Sequence, residues 1–206
     1  MSNKISLSQF LNFSVKVHTS AKINAVRHMK NDEYSIGQDY YFPLRTAIRR
    51  YTQGKDTLDS ILDAAQNSKE DRRANFIKDA TKFVNFMKKN MMFNFFEVGN
   101  ASWSYDNRIN ISASPEFGMI CNGKRYFVKN FYRKQNPKDK ITLTKMRPTL
   151  TLMRTATSQT DLAGANAAVL NLQNGKLLFD DKPINANKLL ELQADAAQLA
   201  DIWEMV

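Results

Sequence analysis

Cations and aromatic rings interleave in one run, KRYFVKNFYRK at residues 124–134, and this is where side-chain types and spacing come closest to a function. In a β-strand, alternate residues fall on opposite faces. One face then carries Arg125, Phe127, Lys129, Phe131 and Arg133, a cation on either side of each ring, with Lys124 and Lys134 flanking the run. Such a surface suits single-stranded nucleic acid, because bases stack on the rings while phosphates meet the cations. The same pattern also describes a strand whose phenylalanines enter a core while the long basic stems reach its edge. The order of glycine and aromatic residues is not that of the RNA-recognition sheet motif, and no zinc finger or basic zipper region is present.

Evidence for catalysis is thin. Asp106 and Glu116 flank an extended segment, and Asn122, Gly123 and Lys124 come nearest to the acid, x, lysine arrangement of metal-dependent nucleases, in which carboxylates hold the ion and a lysine steadies developing charge. Asn122-Gly123 is more simply read as a turn. His18 and His28 stand ten residues apart, not at the spacing of four that brings two imidazoles to one metal on a helix. No nucleophile elbow, phosphate loop, dinucleotide fingerprint or zinc-protease motif occurs. The sequence therefore leans away from an enzyme and leads us to expect no catalytic residue, no metal and no cofactor.

Charge narrows the class of partner. The chain has 206 residues and a formal net charge of +10. Its distribution is uneven: residues 1–92 carry +7, residues 93–150 carry +6 and residues 151–206 carry −3. A field of that sign favours polyanions. The single cysteine, Cys121, has no internal disulfide partner, which points to a reducing cytoplasm and a structural thiol. The first residues lack a basic stretch leading into an apolar one, so no export signal is expected, and no run approaches the roughly 18 apolar residues of a membrane span.

The elements that must position the basic run follow from periodicity and turn chemistry. Asn122-Gly123, flanked by apolar residues between Pro115 and Lys134, predicts a β-hairpin with a type I′ turn. A second hairpin is expected from Ala168–Leu172 and Lys176–Phe179 around Gln173-Asn174-Gly175. Helices are expected over Ser6–Lys30, around Leu44–Tyr51, after Asp56, from Ser68 to Lys89, over Thr144–Ala156 and over Asn187–Met205. Pro148 is compatible with its helix only in the first turn. Extended runs are expected at Phe93–Val98 and Trp103–Ser112.

The expected fold is α+β: an amino-terminal helical portion, residues 1–90, beside a largely antiparallel sheet with two Asn-Gly hairpins in residues 91–206, covered by a carboxyl-terminal helix. One continuous body is the alternative to two domains. The function expected first is non-catalytic binding of a polyanion, foremost nucleic acid, through Lys124, Arg125, Phe127, Lys129, Phe131, Arg133 and Lys134 together with Arg72, Arg73 and Lys82 of the Ser68–Lys89 helix. A subunit or adaptor that meets a protein partner through Asn187–Met205 is the second reading. A metal-dependent nuclease is the third.

Overall fold

The computed structural model describes residues 3–31, 40–89, 94–132 and 141–206. Within them the elements run β1 (Asn3–Ser6), α1 (Leu7–Ser14), α2 (Thr19–Asn31), α3 (Phe42–Thr52), α4 (Asp59–Gln66), α5 (Glu70–Lys89), β2 (Asn94–Phe96), β3 (Ala101–Tyr105), β4 (Ile109–Ser112), β5 (Phe117–Cys121), β6 (Lys124–Phe131), α6 (Leu143–Thr155), β7 (Thr157–Ser158), β8 (Asn166–Asn171), β9 (Lys176–Phe179) and α7 (Ala186–Met205). The fold is α+β, as expected. It has two sheets, however, and each is mixed.

The larger sheet has the order β2-β5-β6-β8-β9, with β6 and β8 parallel and the other pairs antiparallel. The β5–β6 hairpin closes through Asn122 (φ 50°) and Gly123 (φ 74°), with Cys121 opposite Lys124. Two consecutive positive φ angles are what a type I′ turn requires, and its twist matches that of the strands it joins. The chain then crosses over through α6 to lay β8 beside β6. A second hairpin, β8–β9, turns through residues 172–175, with Gly175 at φ 74°.

The smaller sheet, β1-β4-β3-β7, pairs the first strand parallel to β4. The extended run expected over Trp103–Ser112 is in fact a hairpin. It reverses at Asp106 (φ 46°) and Asn107 (φ 55°), two residue types that tolerate the left-handed region without glycine.

Side-chain alternation in β6 and β8 divides the core in two. Phe127, Phe131, Ala167 and Val169 pack with Phe10, Phe13, Met146, Leu150 and Leu199, under α1, α6, α7 and the smaller sheet. Tyr126, Val128, Ala168 and Leu170 pack with Leu44, Ile48, Ile61, Phe76 and Phe83, under α3, α4 and α5. Both faces of the larger sheet are therefore covered. Both cores draw on residues before and after position 90, and Asn90 itself lies outside the described residues.

Two local expectations change. The single helix expected over Ser6–Lys30 is a short strand and two helices. Ser6 ends β1 and begins α1 through a capping box with Gln9, its hydroxyl accepting from the Gln9 amide while the Gln9 side chain accepts from the Ser6 amide. Pro148 lies beyond the first turn of α6, which Thr142 caps, and it is buried. The carbonyl that loses its donor belongs to Thr144, an exposed residue where water can substitute.

Among the described residues no helix is long and apolar enough to cross a membrane. Among the described glycines the closest approach is at Gly118, opposite Phe96. A methyl group there would sit 2.5 Å from the Phe96 ring and 2.7 Å from its carbonyl oxygen. Gly118→Ala should therefore destabilise the fold by about 1–3 kcal/mol, the usual cost of overpacking. In thermal unfolding this appears as a midpoint lowered by roughly 2–4 °C per kcal/mol; an unchanged midpoint would mean that β2 can be displaced from β5 without loss.

Candidate polyanion-binding surface

Strand β6 does not present the expected face of alternating rings and cations. Phe127 is 2 % exposed and Phe131 0 %, both inside the core beneath α1 and α6, so neither ring can receive a base. Lys129 between them is 7 % exposed. The reason is that the sheet is covered on both sides, so alternation here sorts residues between two cores rather than between a core and solvent. Lys124 is exposed, with Nζ 3.9 Å from Asp181. The Arg125 guanidinium lies over the Phe96 ring at 4.5 Å and donates to the Ala163 carbonyl at 3.3 Å. Arg133 and Lys134 lie outside the described residues.

The buried lysine is matched instead. Counting back from the two-residue turn places Glu116 across from Lys129, and its carboxylate stands 2.7 Å from Lys129 Nζ. The other carboxylate oxygen accepts from the Tyr132 hydroxyl and from the Asn130 amide, each at 2.7 Å. Burial by itself pushes the Glu116 carboxyl up. The charges of Lys129 and Arg45, with hydrogen bonds from Lys129 and Tyr132, outweigh that effect and hold it below its ordinary value. Burial beside this carboxylate raises the Tyr132 phenol well above its ordinary range, so it stays a donor at neutral pH.

Glu116 also lines a cleft of about 590 Å³ between the end of α3 and strand β2, together with Arg49, Lys55, Phe95 and Glu97. The residues of the nuclease reading are thus not brought together. Asp106 is on the turn of the smaller sheet and is no part of this cleft, while Lys124 is at the opposite end of the hairpin from Glu116. The lysine that meets Glu116 is Lys129.

On α5 the named cations divide. Arg72 stacks over the Tyr40 ring at 5.1 Å, donates to the Tyr40 carbonyl at 3.2 Å and lies 3.7 Å from Asp71. Arg73 is exposed but donates to the Ser68 carbonyl. Lys82 is different: with Lys78 and Lys89 it falls at spacings of four and seven on the side of α5 away from buried Phe76, Phe83 and Met87. Among the described residues none of these three lysines has a carboxylate partner. Asp79 is the last acid of α5, and it is buried. The stem of Lys82 runs beside the β8–β9 turn, within 3.8 Å of where a Gly175 methyl would be, so exposed Lys176 extends the same basic stripe.

The acids of the carboxyl-terminal segment do not offset this stripe, because they are engaged elsewhere. Asp195 meets buried Lys22, Glu191 meets Arg147, and Asp201 and Glu204 both meet Arg108. The apolar face of α7, with Leu192, Ala196 and Leu199, packs into the core, leaving Leu189, Leu190 and Met205 as its exposed large apolar residues. The stripe was legible in the sequence as lysines at one helical phase. The Glu116–Lys129 pair was legible in the register that a two-residue turn imposes.

No protein-family model, no curated protein and no solved structure matches the chain.

The ion pair carries two expectations. Lys129→Met leaves the Glu116 charge buried without its partner and should cost about 3–5 kcal/mol in chemical denaturation. Because Glu116 titrates lower in the folded chain than its ordinary 4.5, the parent gains stability from it above that pH and loses it as pH falls toward the folded value. Glu116→Gln should thus be less stable at neutral pH yet show a shallower decline between pH 5 and 3, which urea unfolding at a series of pH values would read; parallel acid limbs would show that the carboxylate is not ionised in the fold.

Proposed function

We propose that this protein binds nucleic acid through backbone phosphates, using the outward stripe of Lys78, Lys82 and Lys89 with Lys176 beside it. The observation that carries the reading is that these lysines lie at one helical phase, without a carboxylate partner among the described residues, while the acids of α7 are already paired. At 1.5 Å rise per residue, Lys78 and Lys89 are about 16 Å apart, long enough to follow several phosphates of one strand. Long flexible ammonium groups make point-charge contacts and do not select a base sequence. Binding of this kind is sequence-tolerant and falls with added salt, because each neutralised phosphate releases counterions. The aromatic residues of β6 take no part in it.

The triple variant Lys78→Ala/Lys82→Ala/Lys89→Ala tests the surface. Fluorescence anisotropy with a labelled single-stranded oligonucleotide, titrated across salt concentrations, should show weaker binding and a log–log salt slope smaller by about 2, from roughly 0.7 per lost phosphate contact. If the variant binds as the parent does, the stripe is not the surface. If the parent itself shows no affinity at low salt, the reading fails altogether.

A further inference from the structure

A smaller pocket lies at the Asn122-Gly123 end of the larger sheet, between α5 and the edge strand β9, and its lining is mostly apolar. Its volume of about 400 Å³ falls in the range of small-ligand sites. Phe86 of α5 forms one side, and Cys121 of β5, Tyr126 of β6 and Leu177 and Phe179 of β9 form the other. Phe86 and Phe179 are half-buried, so each ring keeps an accessible part. Tyr126, 5 % exposed, meets Phe179 edge-on at 5.1 Å and fixes that ring from behind. The small side chain of Ala168, opposite Phe179 on β8, lets the two reach each other.

This pocket adjoins the lysine stripe. Phe86 comes one turn after Lys82 and three residues before Lys89, and at about 100° per residue it stands roughly 40° around α5 from Lys82, toward buried Phe83. The Lys82 stem lies beside the β8–β9 turn, and Leu177 follows Gly175 of that turn by two residues. A phosphate held by the stripe would therefore lie beside the mouth of the pocket. Among the described residues no carboxylate lines it. Its rim carries the exposed Asn122 amide, both donor and acceptor, and exposed Lys124, whose Nζ is 3.9 Å from Asp181.

We infer that this pocket takes one unstacked base of a single strand whose phosphates follow the stripe, the base lying between Phe86 and Phe179 with its edge toward Asn122. An accessible aromatic ring stacks with any base through its flat face, and a cation one helical turn away meets the phosphate joined to it. The inference rests on the nucleic-acid reading and adds what lysines alone cannot give. It makes single strands preferred over duplexes, whose bases are held in the stack.

The single cysteine makes the pocket readable, because Cys121 is in its wall. Alkylation of Cys121 by iodoacetamide, followed by mass spectrometry, should slow severalfold with saturating single-stranded oligo(dT) and much less with the oligo(dA)·oligo(dT) duplex. Anisotropy with the same two probes on the parent, on Phe86→Leu and on Phe179→Leu should show the single-strand preference falling by about fivefold or more as ring stacking is lost, with duplex affinity kept. Leucine leaves these half-buried sites apolar, and a general loss of fold would weaken both probes alike, so the ratio reads stacking. The stripe variant should lose affinity for both probes. Strand binding that leaves Cys121 as reactive as in the free protein, or an unchanged preference in both leucine variants, overturns the pocket and leaves the stripe standing. Should the free thiol not react, the leucine variants decide alone. An oligonucleotide that fails to bind the parent defeats both readings.

Discussion

A lysine inside a strand that is covered on both faces cannot keep its charge unless a carboxylate is brought to it. Much of the central sheet depends on meeting that condition at Lys129. The two-residue turn at Asn122-Gly123 fixes the register of β5 against β6, the register puts Glu116 opposite Lys129, and Asn130 and Tyr132 occupy the carboxylate oxygen that the lysine leaves free. Tyr132 in turn stacks on Tyr41 at 4.3 Å, which ties the cluster to the residue that caps α3. Changing the turn, the register or any one partner would leave a charged or polar group stranded in the interior.

The same logic divides the molecule's surplus charge. Cations that enter the interior are each met: Lys129 by Glu116, Lys22 by Asp195 and Gln198 with its ammonium over the Phe13 ring, and Lys188 by Asp180 and two backbone carbonyls. The acids of α7 serve as tethers that hold α2, α6 and the β3–β4 turn. Of the exposed charge on α5, acids occupy the first turn, Glu70 and Asp71, and from Lys78 onward only lysines remain, on the sides that packing leaves free. The location of the exposed charge thus follows from which face of the helix the sheet requires.

The sequence showed the turns and the long helices clearly, since Asn-Gly dipeptides and periodic apolar residues act locally. It misdirected on β6 for a physical reason. Alternation in Arg125, Phe127, Lys129, Phe131 and Arg133 shows that neighbours point opposite ways, but not whether each side is covered. In β6 both sides are, by α1 and α6 from one direction and by α3 to α5 from the other, and those helices come from distant parts of the chain. The parallel pairs β1–β4 and β6–β8 were likewise out of reach, because they join segments with no turn between them to announce the contact. The cleft beside α3 was missed because Arg49, Lys55, Phe95 and Glu116 share no local pattern.

The pairing of β1 with β4 bears on how the chain reaches this state. Asn3–Ser6 form their ladder with Ile109–Ser112, so the first strand emerges from the ribosome long before its partner has been made. Until then Ile5 and the α1 residues Phe10 and Phe13, all destined for the interior, have only the neighbouring α2 to cover them. Such long-range closure slows folding relative to local contacts. The docking of β1 therefore has to wait for residues 109–112, whereas α3, α4 and α5 meet one another through contacts that are local in sequence.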